Sequence, residues 1–170
     1  WGFQQAHERG LVERGKRSIT QCPRCETAIA KNEVEYHQVE DPSIYVKFPL
    51  AEREGSLVAW TTTPWTVPAN TFIAVDEDVT YAAVEATKDG ETETLYVAEG
   101  VVEDVLKKGR YQEYDVVETL SGAEMLGWTY DHPLADEVAE YPDFEGSGEV
   151  YHADYVEVDR TGLVHSAPGH

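Results

Sequence analysis

The sequence predicts a mixed α+β fold dominated by strands, with a closed β-barrel-like core and short helices at its periphery. Three observations carry that prediction. Short runs rich in valine, threonine and tyrosine recur along most of the chain, turn residues separate them, and helical periodicity is confined to brief stretches.

The first of those stretches spans residues 1–12, where Trp1, Phe3, Ala6, Leu11 and Val12 repeat at helical spacing before Gly15. A tight turn with two thiols, Gln21-Cys22-Pro23-Arg24-Cys25, follows. After Asp41-Pro42 the pattern changes to strands, expected at 43–50, 57–61, 71–75, 81–87 and 92–97. Asp89-Gly90 reads as a hairpin turn between the last two. A short amphipathic helix is expected over 100–107, a strand over 114–120, and then a brief helix opened by a capping box of Ser121 and Glu124. Residues 131–148 are acidic and rich in proline and glycine, which predicts loop; strands at 150–156 and 162–165 close the chain. Two regions result: a connecting segment, 1–42, and a main domain, 43–170.

Thirty-three acidic residues face thirteen basic ones, for a formal net charge of −20. Such a surface repels nucleic acid and strains the compact state by self-repulsion. Either the partner is cationic or the chain works in concentrated salt, where the Debye length shrinks to ~3 Å at 1 M. The acids are scattered along the chain and only six lysines occur, so salt adaptation is the better reading. No apolar run reaches the ~18 residues of a membrane span. The two cysteines make no disulfide framework and fit a reducing, cytoplasmic setting. The start inside a helical pattern at Trp1 and the stop at His170 read as cuts in a longer polypeptide.

Two stretches could carry chemistry. In Trp60-Thr61-Thr62-Thr63-Pro64-Trp65-Thr66-Val67-Pro68-Ala69-Asn70, each proline disfavours helical backbone at the residue before it. Thr63 and Val67 are therefore expected to be extended, with the threonines leaving a strand for a stiff loop rich in hydroxyls. A plain strand edge would also explain the threonines. In Thr161-Gly162-Leu163-Val164-His165-Ser166-Ala167-Pro168-Gly169-His170, an apolar strand delivers a histidine into a turn of small residues. A packed or solvated histidine is the ordinary alternative. Adjacency does not make His165 and Ser166 a dyad, because neighbours on a strand point apart.

These two motifs together resemble the editing insertion of isoleucyl-tRNA synthetases, and GLVERGK, CPRCETAIAKNEVEY and DPSIYVKFPL resemble the connecting peptide of the same family. The similarity touches both ends and the middle of the chain. Leucyl and valyl relatives follow their paired threonines with Arg-Pro, so Thr63-Pro64-Trp65 favours the isoleucyl branch. The resemblance implies a tRNA-dependent hydrolase that removes misattached valine from the terminal adenosine of tRNA(Ile), valyl-adenylate being a further possible substrate. The alternatives are a valyl- or leucyl-type editing domain and a non-catalytic module that binds the tRNA 3′ end. A second pocket is needed because rejecting a side chain one methylene smaller gains only ~1–3 kcal/mol; this family's choice between isoleucine and valine is the standard illustration of that limit.

By the same resemblance, Thr61, Thr62, Thr63 and His165 form the catalytic group, while Trp60, Asn70 and Ser166 contact substrate. Neither lysine nor acid falls within the threonine motif, so the hydroxyls read as hydrogen-bonding positioners of a water and not as nucleophiles. The group that activates the water stays open between His165 and the substrate's ribose hydroxyl. The family also places an aspartate a few residues beyond the position of His170 to hold the substrate ammonium. The 170 residues by themselves are therefore expected to be weakly active or inactive. Arg160 stands where the family often has glycine.

Cys22 and Cys25 have the spacing of half a tetrahedral zinc site; a redox pair and free thiols are the other readings. The family completes that site with a second cysteine pair elsewhere, and His7 or His37 are possible stand-ins here. The editing reaction itself needs no cofactor, ATP and nucleotide binding belong to the parent enzyme, and the expected partners are the tRNA end and the rest of a monomeric synthetase. With its charge of −20, the isolated domain is expected to bind tRNA weakly in moderate salt. A filter-binding titration that found tight association would contradict the idea that affinity resides in other domains.

Overall fold

A computed structural model describes residues 1–16, 18–137 and 146–168. Part of the expected 131–148 loop, and Gly169 and His170 of the second motif, lie outside these described residues.

The backbone forms two units, Trp1–Glu40 and Asp41–His170. The first holds helix α1 (Gly2–Glu8), shorter than expected, and a single 3-10 turn at Lys31–Glu33. None of its described residues is buried. About forty residues rarely assemble a core without a staple such as a metal, and Trp1, Phe3 and Leu11 are largely exposed here.

The second unit carries strands β1 (Ile44–Pro49), β2 (Ser56–Thr61), β3 (Phe72–Val75), β4 (Thr80–Lys88), β5 (Glu91–Ala98), β6 (Glu113–Ser121), β7 (Glu149–His152) and β8 (Val164–Ser166). Helix α2 (Val102–Gly109) follows β5, and α3 (Gly122–Met125) follows β6. The Asp89-Gly90 hairpin is present, with both residues at positive φ (54° and 87°) as its tight turn requires. The capping box is present too: Glu124 Oε2 accepts from the Ser121 amide at 2.8 Å and from its hydroxyl at 2.9 Å.

The strands form two sheets. One runs β1-β2-β5-β4-β6, the other β7-β3-β8. The expected closed barrel does not form among the described residues, because β1 and β6 end the larger sheet without meeting. Closure is unnecessary: the central strands β2, β4 and β5 are covered on both faces over much of their length, while the edge strand β6 is largely exposed. Leu57, Ala59, Tyr81, Ala83 and Tyr96 point toward Ile73, Val75, Val150 and Leu163 of the region built on the smaller sheet. Val58, Ala82, Val84, Leu95 and Val97 point the other way, onto Val102, Val105 and Leu106 of α2 and the residue before it in sequence. Burial on two faces explains why β2 and the buried stretches of β4 (Tyr81–Val84) and β5 (Leu95–Ala98) read as continuous apolar runs, not as alternating ones. No helix among the described residues is long and apolar enough to cross a membrane.

β3 is central in the smaller sheet. It pairs in parallel with β7 and antiparallel with β8, opposing Ile73 to His165 and Phe72 to Ser166. Tyr81 ties this sheet to the larger one. It is fully buried, its hydroxyl donates to the Gly162 carbonyl at 2.7 Å, and it accepts from the Asp76 amide at 3.1 Å. Burial pushes its phenol up to about 12, so it stays a neutral donor at any physiological pH. Tyr81→Phe would leave a buried carbonyl and amide without that partner, and a loss of about 1–3 kcal/mol is expected in urea unfolding. A change within experimental error would show that the two contacts contribute nothing.

Candidate active site

The threonine-rich segment leaves β2 at Thr61 and turns at once. Thr63 caps a 3-10 helix, Pro64–Ala69, with φ −120° and ψ 63°, and so keeps the non-helical backbone expected before proline. Val67 does not: it lies inside the 3-10 helix, as does Pro68. Pro64 starts the turn at no cost, since it occupies the first helical position, and the turn's own hydrogen bonds outweigh the modest bias that Pro68 places on Val67. The turn then closes through the Thr66 amide to the Thr63 carbonyl (3.0 Å) and the Asn70 amide to the Val67 carbonyl (2.9 Å).

This compact turn gathers the hydroxyls. Thr61 Oγ1 is buried and accepts from the Thr63 amide at 3.0 Å. Thr63 Oγ1 lies 3.1 Å from Thr61 Oγ1 and 3.4 Å from Thr66 Oγ1. Thr66 Oγ1 donates to the Thr63 carbonyl at 2.8 Å and meets His165 Nε2 at 3.0 Å, across 99 residues of sequence. Asn70, fully buried, faces the other ring nitrogen: Nδ2 is 3.4 Å from His165 Nδ1 and donates to the Phe72 carbonyl at 3.0 Å. The structure thus joins Thr61, Thr63, Asn70 and His165 in one hydrogen-bonded network. Thr62 sits half-buried between Thr61 and Thr63 in the chain.

Proton directions follow from these partners. A carbonyl only accepts, so Phe72 fixes the Asn70 amide nitrogen on its side, and His165 Nδ1 faces an N–H. The proton of a neutral His165 then sits on Nε2 and is donated to Thr66, whose own proton is committed to Thr63. Neither nitrogen of the ring is left as a free base. Burial, and next the nearby His132, holds His165 below the ordinary histidine range.

Trp60 and Ser166 stand at the margins. Trp60 lines a cavity of about 250 Å³ with Tyr155, Arg160 and Val164, and Ser166 Oγ lies 3.2 Å from the Tyr155 hydroxyl. Tyr155 also borders a second cavity, of about 410 Å³, beside Thr71, Phe72 and Pro168. Neither cavity is lined by Thr61, Thr62, Thr63 or His165. Arg160 leaves its turn intact, because its guanidinium lies 4.7 Å over the Trp60 ring while Gly162, at φ 71°, makes the bend.

Sequence reasoning missed Tyr130 and His132, which it assigned to the approach and start of a loop. The Tyr130 hydroxyl donates to Asn70 Oδ1 at 2.6 Å, and His132 Nε2 donates to the Val67 carbonyl at 2.8 Å while its Nδ1 accepts from the Leu134 amide at 3.0 Å. Their alternation about Asp131 was the available signal, since residues two apart on extended backbone share a side.

In the first unit, Cys22 and Cys25 share a tight turn in which the Glu26 amide donates to the Cys22 carbonyl at 2.8 Å. Backbone N–H groups of Cys25 and Arg24, then the Cys25 thiol, lower the Cys22 thiol below its usual range, which suits a thiolate ligand. Among the described residues no third His, Cys, Asp or Glu joins them, so His7 and His37 do not stand in.

A family model for the class I tRNA synthetases (I, L, M and V) matches residues 1–157. The chain belongs to that family. Isoleucine–tRNA ligases of Haloarcula marismortui and Halobacterium salinarum are 72% and 64% identical to this synthetase segment across its whole length. It spans only 16% of either relative, and the relatives include several halophilic archaea. Among solved structures the segment is similar to GlLeuRS-CP1 (TM-score 0.59, 22% identity, 75% of this chain and 55% of that one). It is also similar to the P. knowlesi cytosolic leucyl-tRNA synthetase editing domain (TM-score 0.55, 11% identity, 72% and 55% covered). At those identities the fold is what is shared.

The depressed His165 has a thermodynamic consequence. The unfolded ring titrates near ~6.5 and the folded ring lower, so between those values the unfolded state binds more protons. The stability this histidine contributes is fully present above about pH 6.5 and declines as pH falls toward the folded value. His165→Gln is expected to flatten that part of the melting-temperature profile of this synthetase segment. An unchanged acid slope would mean the ring is not held neutral.

Proposed function

We propose that this segment is the proofreading domain of an isoleucyl-tRNA synthetase, which hydrolyses the ester of valine misattached to tRNA(Ile). The observation that carries the reading is the contact of Thr66 with His165, which unites the two motifs in a single uncharged polar network. The membership in the synthetase family, the ligase relatives and the editing-domain fold support it.

The reaction follows from the groups present. Water adds to the ester carbonyl, the bond to the ribose oxygen breaks, and valine and the free tRNA hydroxyl are released. The threonine hydroxyls orient water and substrate and offer hydrogen bonds to the developing oxyanion, a role that needs no nucleophilic side chain. His165 acts as a hydrogen-bonded wall that limits the size of the admitted side chain, because both of its nitrogens are already engaged. The proton from the attacking water ends on the departing ribose oxygen, relayed by the neighbouring ribose hydroxyl of the substrate or by bulk water. Trp60, on the smaller adjoining cavity, and Ser166, bonded to the Tyr155 hydroxyl that borders it, contact the substrate. The protein works in the cytoplasm, with tRNA and the other synthetase domains as partners. In the intact enzyme Cys22 and Cys25 supply two of four zinc ligands, the other two coming from outside these residues.

The intact synthetase is expected to deacylate Val-tRNA(Ile) and to spare Ile-tRNA(Ile), and Thr63→Ala is expected to lower the valyl rate at least tenfold. Deacylation of neither substrate would favour a binding module. Hydrolysis of a threonyl ester alone would point to the valyl branch.

A further inference from the structure

Tyr130 lies outside both motifs, in the segment that leads from α3 to His132. It is buried, packs edge-on against Phe48 with ring centroids 5.3 Å apart, and directs its hydroxyl at Asn70 Oδ1 over 2.6 Å. Asn70 is itself fully buried, so both ends of its amide depend on protein partners. Phe72 O takes one proton of Nδ2 at 3.0 Å, and the second is directed at His165 Nδ1 at 3.4 Å and the Ser166 carbonyl at 3.5 Å.

We propose that Tyr130 is a positioning residue for proofreading: by anchoring the Asn70 carbonyl end it holds an N–H against His165 Nδ1 and so keeps the ring proton on Nε2, pointed at Thr66. The inference rests on the reading of this site as the editing centre. Loss of the Tyr130 hydroxyl leaves Oδ1 without that donor, and the amide is then held from one end only. The ring is free to move its proton to Nδ1 or to bind a second one. Either change removes the donor that Thr66 accepts or alters the charge of the wall. The other ionisable groups around His165 are His132, held in the same Nε2–H form, and the phenols of Tyr130 and Tyr155. No carboxylate is bonded to the ring among the described residues.

The test is Tyr130→Phe, read in two ways. In the intact synthetase the valyl deacylation kcat is expected to fall about tenfold with KM within about twofold, as for a group slightly misplaced. The acid limb of the pH–rate profile is expected to move to higher pH. In the 170-residue chain, ¹⁵N resonances of His165 should change from a single Nε2–H form to a mixture of tautomers. An unchanged tautomer and an unmoved acid limb would overturn the proposal, even with a lower kcat, because packing alone would then explain the loss. If the phenylalanine variant does not fold, 3-fluorotyrosine at position 130 keeps the shape and strengthens the donor. It should move the acid limb to lower pH, and a static limb would overturn the proposal equally. A wild-type enzyme without deacylase activity would remove the proofreading reading, while the ¹⁵N measurement would still decide whether Tyr130 sets the tautomer.

Discussion

The buried amide of Asn70 is the constraint around which the site is organised. It sits where the 3-10 turn enters β3, and it bonds to the backbone of β3, the backbone of β8, the ring of His165 and the phenol of Tyr130. A fully buried amide is tolerated only when its donors and acceptor are matched. That requirement fixes the register of β3 against β8 locally, and with it the distance between a histidine near the end of the chain and a threonine turn near its middle. Replace the amide by a group of different donor pattern and both the fold and the proton on His165 are affected together.

The resulting centre is electrically quiet. Its groups are hydroxyls, an amide and the imidazole of His165, within a chain whose formal charge is −20. Screening accounts for how these coexist: the carboxylates lie on the surface, where concentrated salt collapses their range, while the network is partly buried and little affected by ions. A surface of that sign offers a polyanion no attraction.

Much of the fold was legible from local chemistry. Asp89-Gly90 specified its hairpin because few residues accept two successive positive φ angles. Ser121 and Glu124 announced α3 because a capping box satisfies two amides that a helix start leaves open. The apolar runs of β2, β4 and β5 were recognisable as strands, yet their meaning was not: burial on both faces looks alike in a closed barrel and in a sheet sandwiched between a second sheet and a helix. Val67 went wrong for a related reason. The bias before proline is local and modest, and a short turn that satisfied Thr66 and Asn70 outweighed it.

The residue types and spacings of the two motifs by themselves determined which family this chain belongs to and which hydroxyls and imidazole to examine. Local patterns record propensity and chemistry within a few residues, and those are properties a linear chain displays. Only the tertiary structure decided that Thr66, more than Thr62, reaches His165, that both ring nitrogens are occupied, and that Tyr130 belongs to the site. Those facts depend on which side chains meet across 60 to 99 residues of separation, and on directed protons that no spacing encodes.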